Sequence, residues 1–328
     1  MAKLANKRAK PAAKRGRAVA KLPKVGPGEL LTLLDFVRYG VSRFTEAELV
    51  FAHGTTDPLA EAAFLVCAAL HLHPDQFETF AIARVTVAEG RKILDLIERR
   101  VTTRKPAGYL VNKIYMRGLP FFVDERTIVP RSFIGELLDR HFGQENEDDE
   151  EDGSQLISDP ATIESVLDLC TGSGCLAILA AHNFPNADID AVDISKDALA
   201  VAARNVGDYG LGDRLKLYRG DLFKPLGGKR YDLIISNPPY VDAQGMADLP
   251  RECRAEPKLA FDGGADGLDI VRRILDEAAV HLTPQGGLLC EVGRCRPQLD
   301  AAYPELPLLW LDTEDSEGEV FWIAAVDL

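Results

Sequence analysis

The sequence predicts an α/β fold in which helices cover a mostly parallel β-sheet. Three observations support this. The chain has 328 residues, 46% of them hydrophobic, which is enough for about two cores. After about residue 163, short apolar runs rich in β-branched residues alternate with helical stretches. A strand, a glycine loop and a helix start also follow one another over residues 166–177.

Seven runs have the length and composition of strands: 166–170, 188–192, 215–218, 231–236, 287–292, 308–311 and 320–326. Helical spacing is found at 176–183, 197–206 and 268–282. Strands that alternate with helices form parallel units whose ligands bind at the carboxyl ends of the strands. The last two runs have no helix between them, so the sheet is expected to end in an antiparallel hairpin.

Four regions are predicted along the chain. Residues 1–28 form a disordered basic tail, with nine Lys or Arg and no acid before residue 25. Residues 29–106 form a small helical domain, and residues 107–130 a β-hairpin that turns at Arg117-Gly118 and bridges the two domains. Residues 131–328 form the α/β domain, in which 145–152, with seven acids in eight positions, is a solvated loop.

Charge and composition exclude several classes of protein. The net charge is −13, and without residues 1–24 it is −22, which repels a nucleic-acid backbone and argues against specific DNA binding. No apolar stretch approaches the roughly 20 residues of a membrane helix. The six cysteines form no C-x-x-C pair, so we expect a cytoplasmic protein with reduced thiols and no structural metal.

The loop Thr171-Gly172-Ser173-Gly174 is the first candidate binding site. Its glycines let the backbone turn sharply and lie close to a ligand. The pattern also fits a dinucleotide fingerprint, but Asp168 places a carboxylate at the end of the strand, facing the loop. A carboxylate repels a pyrophosphate and attracts the ammonium and sulfonium groups of S-adenosylmethionine. The sequence therefore favours the methyl donor.

Two later strand ends carry further acids. Asp193 is expected to accept hydrogen bonds from both ribose hydroxyls, because Ser195 can itself cap the next helix. Asp221 could reach the adenine amine while Leu222 packs against the ring, although Gly220-Asp221 is also a common turn pair.

The fourth strand runs directly into Asn237-Pro238-Pro239-Tyr240. Prolines cannot donate hydrogen bonds, so this loop presents acceptors to the cleft. The Asn237 side-chain oxygen and the Pro238 carbonyl could hold a planar NH₂ group with its lone pair aimed at the methyl, while Tyr240 stacks on that group. The motif contains no histidine or carboxylate, and this chemistry requires none.

These motifs together resemble the protein N5-glutamine methyltransferase family (HemK-type). The resemblance rests on the glycine loop, on Asp193, on Asn237–Tyr240 and on the following Glu256-Pro257-Lys258-Leu259-Ala260-Phe261-Asp262-Gly263-Gly264, and it runs from about Leu30 to the end, apart from 145–152. Release-factor enzymes of the family carry Pro-Arg-Pro-Glu-Thr-Glu after the hairpin. This chain instead has Val129-Pro130-Arg131-Ser132-Phe133-Ile134-Gly135-Glu136, which, like Tyr109-Leu110-x-Asn112-Lys113, is similar to the branch that acts on a large-subunit ribosomal protein (PrmB-type).

The resemblance implies a class I, Rossmann-like methyltransferase with a seven-stranded, mostly parallel sheet. It implies that the loop residues Asp168, Thr171, Gly172, Ser173 and Gly174 bind S-adenosyl-L-methionine together with Asp193, and Asp221, Leu222 and Asn237 are expected to contact the same ligand. It also implies that Asn237, Pro238, Pro239 and Tyr240 hold the glutamine amide, and that the helical domain 29–106 recognises the protein substrate. Substrate contacts are expected at Pro130, Arg131, Glu136, Tyr240 and Glu256. A salt-bridged helix start accounts equally well for Arg131 and Glu136, and ordering of the loop accounts slightly better for Glu256.

The expected partner is a basic ribosomal protein, free or on an assembling ribosome, because an acidic enzyme attracts it at long range. Three alternatives remain open. The first is the same chemistry on a peptide-release factor. The second is adenine-N6 methylation of nucleic acid, against which stand the acidic body and the short chain after Tyr240. The third is a non-catalytic ribosome-assembly factor, for which Asn237 and the glycine loop would serve no purpose.

Overall fold

The computed structural model describes residues 25–26, 28–142, 156 and 159–328. The basic segment up to residue 24 and the acidic loop 145–152 lie outside the described residues. None of the helices in the described ranges has both the length and the apolar character that a bilayer crossing requires.

The first part of the chain is helical, as predicted. Its helices are α1 (Leu33–Glu46), α2 (Pro58–Ala69), α3 (Phe77–Phe80), α4 (Val87–Thr103) and α5 (Ala107–Val111). The threonines that precede α1 and α4 form capping boxes with acids in the first turn, and Asp57 caps α2 just before its first proline. The inner faces of these helices form a separate apolar cluster that includes Phe36, Leu65 and Ile97. The division of the chain into domains stays a prediction.

A short β-hairpin follows, formed by β1 (Ile114–Met116) and β2 (Leu119–Phe121). The turn is at Arg117-Gly118, and both residues have positive φ, as a tight two-residue hairpin turn requires. The predicted extent, 107–130, was too long. Residues 107–111 are helical because Pro106 starts a turn of helix that ends at Asn112, in the left-handed region.

The rest of the chain forms a seven-stranded sheet with helices on both faces. Its elements are α6 (Ile134–Phe142), β3 (Ser165–Leu169), α7 (Cys175–Asn183), β4 (Asp188–Asp193), α8 (Lys196–Asp208), β5 (Leu215–Arg219), β6 (Tyr231–Ser236), α9 (Ala243–Asp248), α10 (Asp269–His281), β7 (Leu282–Glu291), α11 (Arg296–Ala302), β8 (Leu309–Thr313) and β9 (Ser316–Ala324). The strand order is β5-β4-β3-β6-β7-β9-β8. The first five strands in that order are parallel, whereas β9 is antiparallel to both neighbours. The predicted α/β class and the terminal antiparallel hairpin are confirmed.

Side-chain alternation along β3 explains the two cores. Val166 packs in the cluster that contains α7, and Leu167 packs in the opposite cluster with α10. Asp168, next in the alternation, therefore points back toward α7 and is completely buried. From β3 the chain continues to β4 and β5 on one side of β3, and it then crosses to β6 on the other side. This reversal of strand order opens a crevice at the carboxyl ends of the strands, which is where such sheets bind ligands.

Candidate active site

A cavity of about 460 Å³ occupies this crevice. Its walls include the loops after β3, β4, β5 and β6 and the segment between the hairpin and α6. Apolar residues of the loop between 249 and 261, such as Leu249 and Leu259, form another wall, and Ala52 contributes from the helical region. The predicted residues that line the cavity are Pro130, Arg131, Thr171, Gly172, Ser173, Asp193, Asp221, Leu222, Asn237, Pro238, Pro239 and Tyr240. Asp168, Gly174, Glu136 and Glu256 do not line it.

The glycine loop has the backbone conformation that its sequence predicts. Gly172 and Gly174 have φ values of +56° and +81°, which favour glycine. A Cβ on Gly174 would lie 3.2 Å from the Cβ of Ala202 in α8, so this glycine allows loop and helix to pack closely. Gly172 lines the cavity, whereas Gly174 has a packing role behind it. Thr171, Gly172 and Ser173 form the surface that a ligand would meet.

Asp168 supports this loop from behind. Its Oδ2 accepts hydrogen bonds from the Thr171 hydroxyl at 2.5 Å and from the Ala177 backbone N–H at 3.1 Å. Its Oδ1 is buried and has no partner among the described residues. Burial raises the pKa of Asp168 to about 7. An unpartnered carboxylate oxygen behind this loop fits a cationic ligand such as S-adenosylmethionine, and it disfavours a pyrophosphate.

Asp193 lies at the end of β4 and is held in place by two backbone N–H groups. Gly172 donates to its Oδ2 at 2.9 Å and Ser195 donates to its Oδ1 at 2.7 Å. Ser195 itself caps α8 by accepting from Ala198, as predicted. Burial raises the pKa of Asp193, although both hydrogen bonds act in the opposite direction. Each carboxylate oxygen keeps a lone pair for a ligand hydroxyl at the cavity wall.

Asp221 forms ion pairs with two basic side chains, which the sequence did not predict. Lys224 and Arg273 lie 2.6 Å and 2.7 Å from its two carboxylate oxygens, and their hydrogen bonds lower its pKa. Leu222 is buried at the cavity wall with a positive φ of 51°. The apolar contact with an adenine ring fits this placement, and the contact between Asp221 and the adenine amine stays a prediction.

Asn237 has one end of its side chain fixed and the other end free. The Nδ2 donates to the main-chain carbonyl of Arg131 at 3.2 Å. A carbonyl can only accept, so the atom that faces it must be the amide nitrogen. Within the described ranges no group donates to Oδ1, which is left as an unused acceptor at the cavity wall. This is the orientation required to accept an N–H from a substrate.

Tyr240 is enclosed by backbone and anchored at its hydroxyl. A Cβ on Gly293 would lie 2.6 Å from the ring, so the ring position depends on that glycine. The hydroxyl donates to Glu291 Oε1 at 2.9 Å. Glu291 also accepts from the Ser132 hydroxyl at 2.6 Å and the Phe133 N–H at 3.1 Å, and its burial raises its pKa to about 7. Glu291 was not among the residues predicted from the sequence, although it ends the apolar strand β7 at the sheet edge where functional groups are expected.

The predicted substrate-binding acids have structural partners. Glu136 is 3.3 Å from Arg140 within α6 and accepts from the Glu314 N–H at 3.0 Å, away from the cavity. The salt-bridged helix start is therefore the interpretation that the structure supports for Glu136. Glu256 is 4% exposed and forms a two-point ion pair with Arg131. Only Arg131 of this pair reaches the cavity wall.

His53, Cys253 and Glu256 are buried within reach of a common cation. The His53 Nε2 lies 3.1 Å from Glu256 Oε2 and 3.6 Å from the Cys253 sulfur. The guanidinium of Arg131 already lies against Glu256, at 3.1 Å and 3.2 Å, and its positive charge opposes a metal ion there. The trio is better described as a junction between the helical region and the loop after Tyr240.

Comparison with known proteins agrees with this geometry. Residues 147–250 match the methyltransferase small domain family. The chain is 75% identical to the ribosomal protein uL3 glutamine methyltransferase of Bradyrhizobium diazoefficiens, over 96% of this chain and 97% of that protein. Proteins of the same name in Burkholderia pseudomallei and Bordetella pertussis are 51% and 49% identical, each over 92% of this chain and 97% of the relative. The sequence identity and the cavity at the strand ends lead to one conclusion: the chain belongs to the ribosomal protein uL3 glutamine methyltransferase family.

Proposed function

We propose that this protein transfers a methyl group from S-adenosylmethionine to the side-chain amide nitrogen of a glutamine in the ribosomal protein uL3. The observation that carries the chemistry is the fixed orientation of Asn237. Its nitrogen is engaged by the Arg131 carbonyl, so its oxygen is available to accept an N–H. The substrate comes from the names of two relatives that align with 96% and 92% of this chain and are called ribosomal protein uL3 glutamine methyltransferases.

The chemistry of the amide explains why an acceptor is needed. The lone pair of an amide nitrogen is delocalised into the carbonyl, which makes that nitrogen a poor nucleophile. The Asn237 oxygen and the Pro238 carbonyl each accept one N–H and hold the nitrogen so that its lone pair points into the cavity. When bound, S-adenosylmethionine supplies an electrophilic methyl group on a sulfonium. The methylated nitrogen carries a positive charge until it releases one proton to water, so no side chain has to remove a proton beforehand.

The donor site is proposed at the glycine loop and the two strand ends beside it. Thr171, Gly172 and Ser173 present backbone and small polar groups to the ligand, and Asp193 accepts from the ribose hydroxyls. Leu222 packs against the adenine ring. The ionised form of Asp168 places negative charge behind the loop, opposite the positive charges of the donor.

Long-range charge is consistent with a ribosomal protein as the substrate. The chain after residue 24 carries a formal charge of −22, and ribosomal proteins are basic, so encounter is electrostatically favoured. We propose that the helical region contacts this protein, either free or on an assembling ribosome. We also propose a cytoplasmic location, since six cysteines that form no disulfide are typical of a reducing compartment.

The test offers three substrates side by side. Purified enzyme is incubated with labelled S-adenosylmethionine and with free uL3, a peptide-release factor or single-stranded DNA, and the methylated product is mapped by mass spectrometry. We expect label on a glutamine of uL3 alone. Label on the release factor would show that the protein has the substrate of the other branch of the family. Label on adenine would show that the acceptor loop binds the amino group of a nucleobase.

A further inference from the structure

The carboxylate of Glu256 links three parts of the chain that surround the cavity. It is buried and takes four hydrogen-bond contacts: from the Val129 N–H (2.8 Å), from two nitrogens of Arg131 (3.1 Å and 3.2 Å) and with His53 Nε2 (3.1 Å). Burial alone would raise its pKa, but the hydrogen bond of His53 and the charge of Arg131 lower it below its usual value. Glu256 therefore stays ionised in the folded protein at neutral pH.

These contacts fix the main-chain carbonyl that orients Asn237. Glu256 holds the Val129 N–H on one side of Pro130 and the Arg131 side chain on the other, while proline restricts the backbone between them. The Arg131 carbonyl is the acceptor for Asn237 Nδ2. If this carbonyl moves, the Asn237 amide can turn over and present N–H groups, which cannot accept from a substrate amide.

We infer that Glu256 is a positioning residue for methyl transfer, acting through Arg131 on the orientation of the Asn237 side chain. His53 extends the same connection to the segment between α1 and α2. This inference rests on the proposed function, because it assigns Glu256 a part in presenting the substrate amide. It follows that a carboxylate outside the cavity wall contributes to the reaction within it.

Glu252 provides a matched control on the same loop. It is 1% exposed, accepts from the Val50 N–H at 3.3 Å, and pairs with Arg104 of the helical region at 2.8 Å. It contacts neither Arg131 nor Asn237. Glu252→Gln and Glu256→Gln therefore remove the same charge from equally buried sites that both join the loop to the helical region. Only the second change reaches the Arg131 carbonyl.

The first measurement compares kcat and KM of the two variants on uL3, well below their unfolding temperatures. We expect Glu256→Gln to lower kcat by about 10- to 100-fold, as a small misplacement of a reacting group does, with KM for S-adenosylmethionine within about twofold of wild type. Glu252→Gln should keep kcat within about twofold. Arg131→Lys should reproduce the fall in kcat, and its combination with Glu256→Gln should be no worse than either change alone, because both act through one connection.

The second measurement follows the Asn237 side chain directly and needs no protein substrate. The NH₂ signal of Asn237 in a ¹⁵N–¹H spectrum is assigned by its loss in Asn237→Ala. We expect this signal to shift or broaden in Glu256→Gln and to stay in place in Glu252→Gln. An unchanged signal in Glu256→Gln, equal kcat in the two glutamine variants, or a loss confined to KM for uL3 would overturn the inference. If wild-type enzyme does not methylate uL3, the proposed function fails, while the spectra still decide the role of Glu256.

Discussion

Replacing Asn237 with alanine removes both of the features on which the proposed reaction depends. The change deletes the free Oδ1 acceptor and the 3.2 Å hydrogen bond to the Arg131 carbonyl. A half-buried neutral hydrogen bond contributes about 0.5–1.5 kcal/mol, so the free energy of unfolding should fall by about that amount. Loss of one fixed group at the reacting centre typically lowers kcat by about 10²–10³-fold, or about 2.7–4 kcal/mol of the barrier. The loss of activity should therefore far exceed the loss of stability.

Three assays separate these effects. Single-turnover methylation of uL3 measures the chemical step, calorimetry measures affinity for S-adenosylmethionine, and urea unfolding measures stability. Donor affinity should stay within about twofold of wild type, because the lost groups face the substrate amide. Asn183→Ala is the control for activity, because Asn183 lies outside the cavity wall. Its Nδ2 also donates to a main-chain carbonyl, that of Leu179 at 3.1 Å, and in addition to Asp139 Oδ1 at 3.2 Å. Equal turnover in the two variants, or a parallel loss of donor binding, would refute the proposed role of Asn237.

Three further changes test the donor site and its support. Asp193→Ala should weaken S-adenosylmethionine binding by about 1–3 kcal/mol in calorimetry, and an unchanged Kd would contradict the ribose role. Gly174→Ala should lower the free energy of unfolding by roughly 2–5 kcal/mol. The φ of +81° costs about 1–2 kcal/mol, and the 3.2 Å approach to Ala202 adds an overpacking cost of about 1–3 kcal/mol. Gly210 has a φ of +66° and no atom close to the position of an added Cβ, so Gly210→Ala measures the backbone cost alone in urea unfolding. Equal losses of stability in Gly174→Ala and Gly210→Ala would contradict the packing argument. Because burial raises the pKa of Asp168 to about 7, the unfolded carboxyl ionises before the folded one, and stability falls as pH rises from about 4 to 7. In Asp168→Asn, the amide oxygen can accept both hydrogen bonds that Oδ2 accepts in the wild type. The variant should therefore be more stable than wild type at about pH 8 and equally stable near pH 4. A stability difference that does not change with pH would show that ionisation of Asp168 does not affect folding.

The sheet was predictable wherever the chain alternates cleanly between strand and helix. The strand 231–236 was predicted with its observed bounds, and the strands before it differ by no more than one residue at either end. The strand β7 was predicted to begin at Gly287 but begins at Leu282, directly after α10. Pro284 and Gly286 conceal its first half in the sequence, because both residues normally weaken a strand. A register shift between Tyr231 and Leu233 of β6 accommodates this irregular start.

The candidate site was predictable only where its residues are close in sequence. The glycine loop and Asn237–Tyr240 are continuous motifs, and each lies at the cavity wall. Contacts between distant segments have no local pattern: Glu256 is 203 residues from His53, and Glu291 is 51 residues from Tyr240. The sequence therefore predicted Asp168 and Glu256, but the distant partners of Glu256 and the position of Glu291 beside Tyr240 appear only once the chain has folded.

The junction at Glu252 and Glu256 limits how members of this family can be recombined. A chimera that takes its helices from another relative would remove Arg104, the ion-pair partner of buried Glu252, and would also remove His53 from Glu256, which keeps Arg131. A buried negative charge without its partner typically costs several kcal/mol. An exchange of the helical region between relatives must therefore include residues 251–256, even though Arg104 and Glu252 are 148 positions apart in the chain.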